Sequence, residues 1–315
     1  MKNVLIIGGS YFSGRVLVEE LLKEKDFSIF VYNRGRVPLH FEGVTELVGD
    51  REDETQIQRA IPCNRWLAVV DFCAYTPDHI EKVIRCLSGS VEHYIFISTT
   101  SIYKESRALP LKEDAPKLSG PQPELGSYAD YGFNKWLAEC KLAHECGDKG
   151  IAYTSLRPAI IYGKYNYAPR ESYFFDLMKD NKQIILPDNE LALFSFVWVL
   201  DVARAIIRCM GNPKTHGRAF NLAGEELVSY RRLVEVLEQI SGKSLQTTRL
   251  SIDEINRRRI PLPFPLDSHL LYSGKESERV LGFEYTPFEE GMKKTYEHYQ
   301  AVQEVKRKRE LEGMR

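Results

Sequence analysis

The sequence predicts an α/β protein, a doubly wound parallel sheet followed by a smaller C-terminal lobe. Three observations lead there. Short apolar runs alternate with helix-length amphipathic stretches through the first half of the 315 residues, the pattern of repeated βαβ units. The first run, Val4-Leu5-Ile6-Ile7, breaks straight into Gly8 and Gly9, with Gly14 beyond; a buried parallel strand does this where it turns into a helix. After Leu156 the chain becomes less regular and richer in proline, at 158, 169, 187, 213, 261, 263, 265 and 287, which suits a separate lobe.

In chain order, strand-like runs are expected at roughly 2–7, 28–33, 44–48, 67–72, 93–98 and 152–156. Between the first two, Arg15 to Lys25 places Val16, Leu17, Leu21 and Leu22 on one helical face. A strand near 218–222, Arg-Ala-Phe-Asn-Leu, is expected to return to the sheet. The implied division is a dinucleotide-binding domain over 1–156, its sheet completed by segments near 196–224, and a mainly substrate-binding lobe over 157–315.

Composition excludes several classes. A net charge of −1, with 43% hydrophobic and 28% charged residues, gives no global attraction to nucleic acid or anionic membrane. The run Lys306-Arg307-Lys308-Arg309 reads either as a nucleic-acid patch or, on better physical grounds, as a solvated helix end with cations near its C-terminus. No stretch of about 18 apolar residues exists, so no transmembrane helix is expected. The six cysteines form no C-x-x-C pair and read as reduced thiols of a cytoplasmic protein. The seven histidines show no metal-ligand spacing, so no metal is expected.

Three local patterns carry chemistry. Glycines at a strand-to-helix turn let backbone N–H groups approach a pyrophosphate without a Cβ in the way, and the helix N-terminus beyond favours negative charge. The segment Phe96-Ile97-Ser98-Thr99-Thr100-Ser101-Ile102-Tyr103 is a strand ending in hydroxyls, at the strand end where open parallel sheets collect functional residues. Tyr131-Gly132-Phe133-Asn134-Lys135 places a phenol and an ammonium one helical turn apart. An ammonium beside a phenol favours the phenolate, which prepares Tyr131 to act as a base near neutral pH.

In this order and at these distances the three patterns resemble the short-chain dehydrogenase/reductase superfamily and, more closely, its extended branch, the NAD-dependent epimerase/dehydratase family. The resemblance continues through Arg157-Pro158-Ala159-Ile160-Ile161-Tyr162-Gly163, Phe196 to Ala203, Phe220-Asn221-Leu222-Ala223-Gly224, Ser273-Gly274-Lys275, Leu281-Gly282-Phe283 and Glu290-Gly291, so it covers nearly the whole chain. It implies a Rossmann domain holding a nicotinamide cofactor against Gly8, Gly9, Ser10, Tyr11, Phe12 and Gly14. Asn33, Arg34, Asp50, Arg51, Cys73, Ala74, Pro158 and Ile160 complete that implied site, with Asp50 resembling the residue that binds adenine. It further implies Tyr131 as general acid/base, Lys135 tuning it and binding ribose, and Thr99, or alternatively Ser98, orienting a sugar-like small-molecule substrate. A homodimer through helices near Tyr131 is implied as well.

Departures from the family pattern narrow the reading. Tyr11 replaces the middle glycine, giving a GGxxxxG pattern that resembles an atypical subgroup related to chloroplast stem-loop-binding proteins. Residues 157–178 are similar to those relatives, so an RNA-binding protein on the same fold is the rival function. The second strand ends in Asn33-Arg34-Gly35-Arg36, with no carboxylate to repel a 2′-phosphate and an arginine to pair with one; NADP(H) is therefore favoured over NAD(H). Thr100 and Ser101 stand where the family's dehydratases carry an acid pair, which disfavours dehydration. Phe194 stands where an arginine usually clamps the diphosphate of a nucleotide sugar, leaving Arg257, Arg258 or Arg259 to supply charge. Tyr162, Tyr165, Tyr167, Tyr173, Phe174 and Phe175 read either as a pocket lining or as packing.

Overall fold

The computed structural model describes residues 1–189 and 191–313. The chain runs β1 (Lys2–Ile7), α1 (Phe12–Leu21), β2 (Phe27–Asn33), β3 (Val44–Val48), α2 (Glu54–Ala60), β4 (Asn64–Asp71), α3 (Pro77–Cys86), β5 (Gly89–Ile97), α4 (Tyr131–Lys149) and β6 (Ala152–Pro158). It continues through β7 (Ile160–Tyr162), α5 (Glu171–Lys179), β8 (Ile184–Pro187), β9 (Phe194–Trp198), α6 (Val199–Cys209), β10 (Arg218–Leu222), β11 (Leu227–Val228) and α7 (Tyr230–Ser241). It ends with β12 (Thr247–Leu250), α8 (Ile252–Arg257), α9 (Lys275–Leu281) and α10 (Phe288–Gly313).

The chain divides into two compact units, the first comprising Met1–Ala159, Leu200–Ala223 and Tyr272–Glu284. Its seven-stranded sheet has the order β10-β6-β5-β4-β1-β2-β3, and every pairing in it is parallel. The order reverses between β1 and β4, the switch point where such sheets bind ligands. A parallel sheet buried on both faces needs apolar runs rather than alternation. β1 obeys this, with Val4, Leu5, Ile6 and Ile7 all buried. One face carries a cluster that includes Leu5, Trp66, Val69, Tyr94, Phe96, Ala138 and Leu142, each such side chain contributing about 1.5–3 kcal/mol by leaving water. Local signals agree with the elements: the Thr76 hydroxyl accepts from His79 N and Pro77 opens α3, while Gly150 ends α4 in the left-handed region at φ 65°.

The second unit comprises Ile160–Val199, Gly224–Leu271 and Tyr285–Arg315. It holds a three-stranded sheet, β11-β9-β7, and a two-stranded one, β12-β8. Of the segment near 196–224 expected to complete the large sheet, β10 does so, whereas β9 pairs with β7 and β11. The aromatic residues of this unit are largely packing. Phe194 is buried with its ring centroid 5.6 Å from that of Tyr230 and 5.3 Å from that of Phe264, and Tyr162 lies 5.3 Å from Phe288. Phe174 and Phe175 are buried too, whereas Tyr167 is exposed. The Glu171 carboxylate accepts from Gly163 N at 2.9 Å and from Asn166 Nδ2, and burial pushes its pKa up to about 7.

A buried ion pair ties α4 to the sheet. Arg157 on β6 donates through Nε (3.0 Å) and Nη2 (2.7 Å) to the Glu139 carboxylate on α4. Its Nη1 reaches Tyr103 Oη at 2.8 Å and the Glu113 carbonyl at 3.0 Å. Tyr103 Oη in turn donates to Asn221 Oδ1 on β10 at 2.6 Å. Removing one partner of such a pair strands the other charge in the interior. Glu139→Leu is therefore expected to destabilise the protein by about 3–5 kcal/mol in urea unfolding. Glu139→Leu combined with Arg157→Met restores most of that loss, because no bare charge is left.

Candidate active site

The carboxyl ends of β1, β2, β4 and β5, together with the start of α4, bring the candidate residues of the first unit together. β1 ends at Ile7 and the chain turns through Gly8, whose φ of +89° is left-handed. A Cβ on Gly8 would lie 2.0 Å from Cys73 Sγ, so the turn rests directly on the end of β4. A Cβ on Gly14 would lie 2.6 Å from Gly8 O and 2.8 Å from Gly9 Cα; only glycine lets α1 start this close to the turn. Tyr11 gives the α1 N-terminus no side-chain cap, and Phe12 holds φ 35°, a strained value for a residue with a Cβ. A helix N-terminus without a side-chain cap favours an anion.

Around this turn lie polar atoms that the described residues leave unpaired. Ser10 Oγ, Asn33 Nδ2 and Ser98 Oγ are buried without a hydrogen-bond partner. Asn33 spends only its carbonyl, which accepts from Gly35 N at 2.7 Å. Arg34 and Arg36 are exposed at the end of β2. Asp50 accepts from Glu52 N at 3.0 Å through Oδ1. Arg51, expected beside a cofactor, has its guanidinium turned inward, donating to Asp71 Oδ1 at 2.8 Å, Asp71 Oδ2 at 3.1 Å and the His79 carbonyl at 2.9 Å.

The catalytic candidates sit where β5 meets α4. Thr99 Oγ1 accepts from Ser101 N at 3.1 Å and donates to Ser101 Oγ at 3.2 Å. A Cβ on Gly132 would lie 2.2 Å from the Ser101 carbonyl, so the first turn of α4 is seated on the loop after β5. That brings Tyr131, at 36% exposure, beside the hydroxyl-ended strand. One turn on, Lys135 is almost fully buried. Its Nζ donates to the carbonyls of Ile97 (2.6 Å) and Ala74 (2.9 Å) and lies 4.4 Å from the Phe96 ring centroid. Burial pushes its pKa down to about 8, against the opposing pull of the Asp71 carboxylate. An ammonium has three donors and two are spent on carbonyls, so one remains for a ligand hydroxyl.

A nicotinamide dinucleotide fits this donor set: the glycine turn, Ser10 and the α1 amides for phosphate, Lys135 for ribose. Cys73 and Ala74 lie at the end of β4, and the Pro158 carbonyl accepts from Thr100 Oγ1 at 3.3 Å. Ile160 opens β7 in the second unit. Two residues near Lys135 escaped sequence reasoning. Tyr75 places its ring 6.5 Å from that of Tyr131 and 5.3 Å from Lys135 Nζ, and Asp71 is fully buried at the end of β4. The signal for Asp71 was present, since it closes the run Leu67-Ala68-Val69-Val70 with a charge.

The model of the NAD dependent epimerase/dehydratase family matches residues 4–223. The chain belongs to that family. This epimerase/dehydratase homologue is 26% identical over 301 residues to the chloroplast stem-loop binding protein of 41 kDa b of Arabidopsis thaliana, covering 90% of this chain and 75% of that protein. It is 25% identical over 277 residues to an uncharacterized UDP-glucose epimerase of Bacillus subtilis, covering 76% and 83%. A UDP-glucose 4-epimerase of Thermotoga maritima, solved with UDP-glucose, shares its fold at a TM-score of 0.76 and 19% identity, over 95% of this chain and 99% of that one. A UDP-glucuronic acid 4-epimerase of Bacillus cereus, solved with UDP-glucuronic acid and NAD, does so at 0.74 and 17%, with the same coverage. Among the described residues no helix is long and apolar enough to cross a membrane and no side-chain cluster suits a metal ion.

Gly14→Ala forces the turn and the helix apart. Overpacking of this kind costs about 1–3 kcal/mol, which at the ligand-bound turn is a factor of about 5 to 150 in affinity. A fluorescence titration with NAD(H) and NADP(H) is expected to show that loss while circular dichroism stays that of the parent.

Proposed function

We propose that this family member is an NAD(P)-dependent epimerase or reductase acting on a hydroxyl of a sugar-like small molecule. Tyr131 moves the hydroxyl proton, Lys135 binds ribose and holds positive charge beside the phenol, and Thr99 orients the substrate. The observation that carries the reading is the buried Lys135 ammonium, fixed by the Ile97 and Ala74 carbonyls one turn from Tyr131 with a donor to spare. A nicotinamide, when bound, supplies the hydride chemistry. The protein supplies placement and proton transfer. Thr99 keeps acceptor capacity after bonding Ser101, enough to receive a substrate hydroxyl.

The sugar-like group is the part of the substrate this site addresses. A diphosphate would find no cation at position 194, where Phe194 is buried among aromatic rings. Arg257 and Arg258 are exposed and paired with Glu254. Dehydration is disfavoured because the Thr100 hydroxyl is buried and donates to the Pro158 carbonyl. An RNA-binding role is the second reading, favoured by the similarity to the stem-loop binding protein over 90% of this chain. A net charge of −1 weighs against it.

Tyr131→Phe is expected to lower turnover on sugar or nucleotide-sugar substrates by about 10²–10⁴ while dinucleotide affinity, read by fluorescence, stays at the parent value. RNA affinity at physiological salt that survives this change, with no turnover in the parent, favours the second reading instead. For the cofactor we propose NADP(H), because Arg34 is exposed beside Asn33 with no carboxylate at the end of β2. Arg34→Ala is expected to weaken NADP(H) about 10- to 100-fold and leave NAD(H) unchanged; tighter NAD(H) binding by the parent overturns the preference.

A further inference from the structure

We propose that Asp71, whose hydrogen bonds come from Arg51, Tyr94 and the Cys73 and Ala74 amides, is the positioning residue for Lys135, and that Arg51 is its counterweight. The inference rests on the proposed role of Lys135 and adds what holds that lysine in place and in charge. Asp71 is fully buried and accepts five hydrogen bonds: two from Arg51 (2.8 and 3.1 Å), one from Tyr94 Oη (2.7 Å), and those of the Cys73 and Ala74 amides (2.8 and 3.0 Å). The two amides fix the turn after β4. They orient the peptide between Ala74 and Tyr75, whose carbonyl is the one Lys135 grips at 2.9 Å. The other end of that peptide is held as well, since Tyr75 N donates to His79 Nδ1 at 3.0 Å. The lysine is thus tied to the carboxylate through one residue of backbone.

The electrostatics run along the same path. Among the described residues Lys135 has no ion-pair partner of its own. The charged and titratable groups acting on it are Asp71 and Cys73 from the end of β4, Arg51 from the loop after β3, and Glu139 one turn along α4; the Tyr75 ring lies 5.3 Å from its Nζ, with the Tyr131 ring 6.5 Å beyond Tyr75. Glu139 is neutralised by Arg157 and Asp71 by Arg51. Asp71 is nevertheless the leading group that favours the ammonium, while Arg51 opposes it. Burial works against the Asp71 carboxylate, yet Arg51 and Tyr94 keep its pKa below the usual range, so it is charged wherever the enzyme works. Removing one member of the Asp71–Arg51 pair leaves the other's charge acting alone on Lys135, with opposite sign in the two cases.

The test is the titration of Lys135 itself, followed by NMR of protein labelled with ¹³C,¹⁵N-lysine, its signal identified by its loss in Lys135→Arg. In the parent it is expected to titrate near about 8. Asp71→Asn is expected to move it down by about one unit or more, Arg51→Gln to move it up, and Arg51→Lys to leave it in place. The alkaline limit of NADP(H) binding, read by fluorescence, follows the same order. If Asp71→Asn does not fold, the Arg51 pair decides alone: an upward shift in Gln and none in Lys supports the proposal. Shifts in one direction for both charge-removing variants, or no shift in Arg51→Gln, overturn it. Because the readout is a lysine signal, an inactive Tyr131→Phe or a missing substrate leaves this result standing on its own.

Discussion

The pairing of Arg157 with Glu139 is the interaction on which the geometry of the site depends. Glu139, Lys135 and Tyr131 follow one another at intervals of four residues along α4, so they share one stripe of the helix. Fixing the carboxylate against β6 fixes the rotation of the whole helix, and the lysine and phenol follow from it. The same guanidinium reaches Tyr103 and the Glu113 carbonyl, and through Tyr103 it meets Asn221 on β10. A charge this deep stabilises little by itself, because desolvation offsets most of the attraction. Its role is to allow one arrangement of helix, strand and loop and to make the others costly.

Lys135 lies between two such pairs, each neutral in sum. Asp71 with Arg51 stands under the end of β4, and Glu139 with Arg157 stands one turn along α4. Neither carboxylate is spent on the lysine, which bonds instead to two backbone carbonyls. Carbonyl dipoles hold an ammonium more weakly than a carboxylate does, so burial prevails and the pKa falls toward neutrality. A lysine locked to a carboxylate would be a better cation and a poorer partner for a ligand hydroxyl. Here the buried carboxylate of Asp71 shapes backbone, and the shaped backbone holds the lysine.

Much of this was legible from residue patterns. The inner strand β1 stands where its apolar run placed it, because a strand buried on both faces has to be apolar throughout, while the edge strand β3 keeps Thr45 and Glu46 and is only partly buried. The glycine turn was legible for a steric reason, since Gly8 and Gly14 occupy positions that no Cβ can fill. Other features were not. The run Phe196-Val197-Trp198-Val199 reads as a buried strand in either sheet, because apolar pattern reports burial and carries no information about the pairing partner. Arg51 stands next to Asp50 in sequence, and nothing in the pattern points to its partner Asp71, 20 residues away. Phe194 marks a missing cation in sequence; its place against Tyr230 and Phe264 depends on residues more than thirty positions away.

The three separate segments of the first unit have a consequence for how the chain is made. Strand β6 finds its outer neighbour only in β10, at residues 218–222, and α9 belongs to this unit at 275–281. A chain emerging from the ribosome in order has β1 to β6 available well before β10, so for that interval β6 is an open sheet edge with unpaired backbone groups. Tyr103 meanwhile waits for Asn221. The Arg157–Glu139 pair can form before then, but the network through Tyr103 is complete only when the later segment arrives, so the open edge of β6 and the last bond of that network close together.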